Sequence, residues 1–146
     1  MRNRRPCVLL PLCLALLCVA CHRSGTWVDD PANFRRAFGY PPPDGVVLTR
    51  SWYWRSPHFF REESLLFSIA APRPFIDAIL SANATEPFDF SGLRQLSTPC
   101  VLDDWPAWFA PGPAETYQSW RCPGSRQCLA LVDLDRGELF LYVCQL

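Results

Sequence analysis

Apolar and polar residues alternate from Val46 to Trp54. Val46, Leu48, Trp52 and Trp54 share one parity; Val47, Thr49, Ser51 and Tyr53 share the other, and Arg50 interrupts the first set. This pattern predicts a strand. A second strand is expected at about 60–70, where Leu65, Phe67 and Ile69 alternate with Ser64, Leu66 and Ser68. Pro57 breaks the run between them, so the two strands predict a hairpin with its loop near 55–59. A register that sets Trp54 opposite Arg61 and Trp52 opposite Glu63 would stack Arg61 on Trp54.

The period then changes. In "PRPFIDAILSAN", Phe75, Ile76, Ile79 and Leu80 form an apolar helical stripe, Pro74 suits the first turn and Asn83 suits the end. A shorter helix is expected in "DDPANFRRAFG", with Asp30 as N-cap, Pro31 at the first helical position, Phe34 and Phe38 on one face, and Gly39 as the stop. "VLDDWPAWFAPGPAETY" is irregular, with three Pro and one Gly, and one more strand is allowed before the last hairpin.

"CLALVDLDRGELFLYVC" predicts that terminal hairpin. A type I turn over Leu134–Gly137 with Gly137 left-handed pairs Leu134 with Glu138 and Cys128 with Cys144. A register shifted by one separates those two cysteines. The coarse order is α, β, β, α, irregular, β, β, β. It predicts an α+β class: a small antiparallel sheet of two hairpins with helices packed mainly on one face.

The first twenty residues carry a different pattern. Arg2, Arg4 and Arg5 precede an apolar run from Cys7 to Ala20, interrupted by Pro11. The run is shorter than the roughly 20 residues that span a bilayer, and it reads as an export signal. Its end, "LLCVAC", resembles a bacterial lipoprotein signal, with Val19 and Ala20 before Cys21 and Cys18 where Leu is usual. The resemblance implies lipidation of Cys21, palmitate included, and a membrane-anchored chain. His22, in place of Asp at the next position, points to the outer membrane. Ordinary signal cleavage after Ala20 satisfies the same small-residue rule. The expected division is a signal peptide at 1–20, a lipidated N-terminus with short helix and Pro-rich tether at 21–44, and one domain at 45–146.

All fourteen basic residues are Arg, balanced by fourteen acids. Loss of residues 1–20 removes three Arg, leaving eleven against fourteen acids, a net charge of −3. No basic stripe is present, which argues against nucleic acid as a partner. The chain holds eight cysteines. Cys7, Cys13 and Cys18 leave with the signal, and with Cys21 acylated, Cys100, Cys122, Cys128 and Cys144 remain. An even number in an exported chain predicts two disulfides. Either Cys128 pairs with Cys144 across the hairpin, or Cys122–Cys128 closes the preceding loop and leaves Cys100 for Cys144. "CPGSRQC" is no redox motif, no His lies near it, and no metal or cofactor is expected.

The densest aromatic stretch is "RSWYWRSPHFFREE". Its mainly structural reading puts Trp52 and Trp54 into a sheet face. Its functional reading makes Tyr53, Trp54 and His58, flanked by Arg50 and Arg55, a partly exposed platform for a sugar ring, a peptide or a partner protein. The loop bearing Trp105, Trp108 and Phe109 is a candidate extension of that platform. His58 with Ser56 and Glu62 or Glu63 is the one candidate for hydrolysis, and no catalytic signature surrounds it. The Asp103–Asp104 and Asp133–Asp135 pairs read as solvated acids. The expected function is a non-catalytic binding module of the cell envelope with a protein or glycan partner. The alternatives are an inhibitor or immunity-type protein and, less favoured, a small hydrolase using His58.

Overall fold

The computed structural model describes residues 24–57, 62–83, 85–93, 96, 99–123 and 127–145. Seven strands form one antiparallel sheet: β1 (Gly25–Val28), β2 (Val47–Arg55), β3 (Glu63–Ala70), β4 (Glu86–Pro87), β5 (Tyr117–Arg121), β6 (Gln127–Asp133) and β7 (Glu138–Gln145). Their spatial order is β1-β2-β3-β7-β6-β5-β4. Helices α1 (Asn33–Phe38) and α2 (Arg73–Ala82) are short.

This corrects the expected class. The fold is sheet-dominated, and it is not a small two-hairpin sheet carrying helices. The two hairpins merge because β3 pairs with β7 along its whole length, from Glu63↔Gln145 to Ala70↔Glu138. β1 and β5 then extend the sheet on either side. β3 and β7 are buried on both faces between their ends, so Ser64 and Ser68 lie inside along with their apolar neighbours.

One face is covered by helices. Phe34 from α1 and Ile76, Ile79 and Leu80 from α2 pack on Tyr53, Leu65, Phe67, Leu139, Leu141 and Val143. Pro72 precedes α2 in extended conformation, and Pro74 occupies its first turn without losing a helical bond. Asn83 ends α2, its backbone N–H and its side-chain Nδ2 both donating to the carbonyl of Ile79. α1 begins at Asn33 with Ala32 at its N-cap, two residues beyond the expected Asp30 cap and Pro31 start; Asp30 Oδ1 accepts from the N–H of Ala32 at 2.9 Å in the turn before it, and the helix stops at left-handed Gly39.

Among the described residues, the other face is covered by irregular chain and a 3-10 turn at Ala114–Thr116. Phe90, Trp105, Trp108, Phe109 and Ala110 pack on Trp52, Leu66, Leu131, Phe140 and Tyr142. Trp105 and Phe109 stack with ring centroids 5.1 Å apart, and Trp105 meets Tyr142 edge-on at 5.2 Å.

Residues 25–38, expected to belong to a tether with one helix, enter the fold. Gly25–Val28 pairs with β2 from Gly25↔Arg55 to Val28↔Trp52. Asn33 and Phe34 are fully buried. Asn33 Nδ2 donates to the carbonyl of Trp27 and to Ser51 Oγ, each at 3.0 Å, and its Oδ1 accepts from Arg36. These bonds tie α1 to the edge of the sheet. Asp29 turns the chain between them with φ +49°, a conformation that Asp tolerates better than most residues.

The first hairpin departs from its expected register, and the last takes the second of its two candidate registers, shifted by one residue. β2 and β3 pair Trp54 with Ser64 and Trp52 with Leu66, which overturns the Trp54–Arg61 pairing; Arg61 lies outside the described residues. A bulge between Leu48 and Arg50 adjusts the ladder. In the last hairpin Gly137 is left-handed, with φ +64°. The ladder nevertheless closes at Asp133↔Glu138. Asp133 Oδ1 accepts from the N–H groups of Asp135 and Arg136, so the side chain holds a four-residue loop. Cys128 then lies opposite Val143, and Cys144 opposite Gln127. Cys128 faces the helices and Cys144 the irregular cover. The cross-hairpin pairing is thereby excluded. The bonds are Cys100–Cys144, with Cα atoms 6.3 Å apart, and Cys122–Cys128, at 5.3 Å.

Candidate functional site

The aromatic stretch on β2 is taken up by the fold. Tyr53, expected on the exposed side, is 0% exposed and belongs to the helix-covered core. Its hydroxyl donates to Glu63 Oε2 at 2.6 Å and accepts from Arg55 Nη2 at 2.7 Å. Burial, and then the Glu63 carboxylate, push its pKa above 10.0. Arg55 also pairs with Glu63 at 3.6 Å. Trp54 is half-buried and packs against the opposite core. Tyr53 leaves the expected surface because α1 covers its face of β2, and the irregular segment partly covers Trp54 on the other face. Alternation within β2 separates its two faces but does not reveal that both are covered.

Arg50 remains exposed. Its Nε donates to both carboxylate oxygens of Asp29 at 3.1 Å, and its guanidinium lies 5.6 Å from the Trp108 ring centre. The irregular loop therefore does meet β2, at Arg50. Asp29 also accepts from the N–H of Ser51 at 2.9 Å, and these contacts hold its pKa below the ordinary 3.8. Arg50 and Asp29 thus act as an ion-paired corner of the fold. His58 lies outside the described residues, as does Cys21.

Aromatic and polar groups converge at the opposite end of the sheet. A cleft of about 490 Å³ opens between the irregular segment and the strands β5, β6 and β7. Leu129 and Tyr142 form its floor, and Phe88, Leu96 and Trp105 its walls. Gln127 and the pair Glu86–Arg121, with Arg121 Nε donating to Glu86 Oε1 at 2.9 Å, supply polar groups. The size falls within the usual range for small-ligand sites, and so does the mix of apolar lining with a few polar groups.

The floor and one wall are pinned together. The N–H of Cys100 donates to Tyr142 Oη at 3.0 Å, and Cys144, two residues on, carries the disulfide to Cys100. Tyr142 Oη lies 3.4 Å from Gln127 Oε1. Burial pushes the Tyr142 pKa above 10.0, so its hydroxyl keeps the proton that it donates toward Gln127 Oε1. The indole Nε1–H of Trp105 is buried and has no hydrogen-bond partner among the described residues.

No family model, curated protein or solved structure matches this chain.

The cleft's chemistry therefore rests on its own residues. Among the described residues no group of three or more His, Cys, Asp or Glu is placed to hold a metal. Of the cleft residues, Trp105 was visible from sequence as part of a dense aromatic loop. Glu86, Arg121, Gln127 and Tyr142 carry no local sequence signal. They come from three separate stretches of sequence, and only the β4–β5 and β6–β7 registers bring them together.

Proposed function

We propose that this chain is an exported, membrane-anchored binding module, acylated at Cys21 and placed in the cell envelope at the outer membrane. The cleft carries the binding part of this reading: an aromatic wall and floor with an amide and a paired carboxylate and guanidinium at hand. Such a site holds and orients a ligand. The export part rests on the leader, with its basic start, apolar core and Cys21 after Val19 and Ala20. The Cys100–Cys144 and Cys122–Cys128 bonds support it, because disulfides persist in oxidising compartments.

Mass spectrometry of the mature N-terminus, joined to membrane fractionation, tests the anchor. The expected result is an acylated Cys21 in the membrane fraction, and a Cys21→Ala chain that is soluble or unprocessed. A mature chain beginning at Cys21 without acyl mass contradicts the anchor and leaves the binding reading standing.

A further inference from the structure

We infer that the cleft beneath Trp105 is a site for a neutral glycan. The inference rests on the binding reading above and is independent of the lipid anchor.

Charge is the first argument. Among the described residues, the ionic groups lining the cleft are one carboxylate, Glu86, and one guanidinium, Arg121, joined at 2.9 Å. Together they attract neither an anion nor a cation strongly. They do offer an acceptor and a donor side by side, which suits a group that donates and accepts at once. A sugar hydroxyl is such a group: it can donate to Glu86 and accept from Arg121. Gln127 adds an exposed amide whose Oε1 accepts from the Tyr142 hydroxyl at 3.4 Å and whose Nε2 offers a donor to a ligand.

The lining is the second argument. Phe88, Trp105 and Tyr142 bring three aromatic rings to one cleft, with Leu96 and Leu129 beside them. A pyranose presents an apolar face of C–H groups and an equatorial belt of hydroxyls. It matches a cleft with aromatic walls and a neutral polar rim. Trp105 is held by its stack on Phe109 and its edge contact with Tyr142, so the wall is ordered before a ligand arrives. Its unpartnered Nε1–H is a further donor on a residue of that wall.

A peptide fits less well. Extended peptides bind by adding a strand to an open sheet edge. Beside this cleft the edge of β5 is already taken: Glu86 pairs with Arg121, Pro87 with Trp120, and the N–H of Phe88 donates to the carbonyl of Ser119. The outermost residue Pro87 has no N–H to offer.

Calorimetric titration of the full-length mature chain tests the inference, using a zwitterionic detergent without a sugar headgroup. The probes are maltotriose, cellotriose and triacetylchitotriose, against a trigalacturonate and the tripeptide Ala-Phe-Leu. The expected result is saturable binding of at least one neutral trisaccharide, weakened about tenfold by Trp105→Ala and about threefold or more by Arg121→Ala or Gln127→Ala. The last two change exposed side chains and guard against misfolding of the first. No saturable heat from any neutral trisaccharide overturns the inference, and so does binding indifferent to both exposed-residue variants. Preference for trigalacturonate or the tripeptide also overturns it, while leaving a binding module. A missing acyl group at Cys21 affects none of these outcomes.

Discussion

The two faces of the sheet are buried to a similar degree by different means. On one, α1 and α2 lay apolar stripes on the strands, and the cover is secured by helix ends, by Asn33 and by close packing of Phe34 with Phe38 at 4.5 Å. On the other, a long segment with little regular structure is secured by stacked aromatics, by Tyr142 and by the Cys100–Cys144 bond. A helix satisfies its own backbone and needs only an apolar stripe to dock. An irregular cover lacks that internal support, and cross-linking limits the entropy it regains on release. Both covers leave a cleft, and the one beneath the helices, lined by Phe38, Leu65, Ile79 and Leu141, is the smaller at about 220 Å³. The 490 Å³ cleft lies on the irregular face.

The comparison can be broken most strongly on the helical face. Phe34 is fully buried at the centre of the α1 contact, and α1 has only six residues. So short a helix depends on packing for its stability. Phe34→Ala is expected to cost about 3–5 kcal/mol in chemical denaturation. A loss under about 1 kcal/mol would mean that α1 is dispensable to that core.

A smaller effect is expected on the irregular face from Tyr142→Phe. The change keeps the ring against Trp105 and removes the acceptor for the N–H of Cys100. The expected cost is about 1 kcal/mol. An unchanged midpoint would show that the disulfide alone holds the cover.

The smallest effect concerns acid. Asp29 joins β1 to β2 through the N–H of Ser51 and through Arg50, and its folded pKa lies below 3.8. A carboxyl with a depressed folded pKa contributes stability above its unfolded pKa and loses it as pH falls through the folded value. Stability should therefore decline as pH drops below about 3.8, with a shallower decline in Asp29→Asn. The side chain is well exposed, so the difference is modest. Identical acid limbs would remove Asp29 from the account.

The contrast between the faces also explains what could be read from sequence. Both helices announced themselves through the Phe34/Phe38 and Phe75–Leu80 spacings, and β2, β3, β6 and β7 through alternation or apolar runs. β1 did not, because "GTWV" is too short for a period to register. Register escaped as well. At the last hairpin it depends on Asp133 capping its own loop, and the disulfide pairing follows from that one-residue shift. Sequence density points to a site on β2, where aromatics are most closely spaced. They are dense there because β2 lies between two covers, with Tyr53 facing one core and Trp52 the other. The cleft gathers residues that are sparse in sequence, and no local pattern marks them.

Hydrogen exchange of the oxidised chain against Cys100→Ala/Cys144→Ala tests most directly whether the two faces are held by different means. The account predicts lost protection at the Cys100 and Phe109 amides and around Tyr142, with α2 and the β2–β3 ladder retaining theirs. Equal loss of protection on both faces, or none on either, would contradict it.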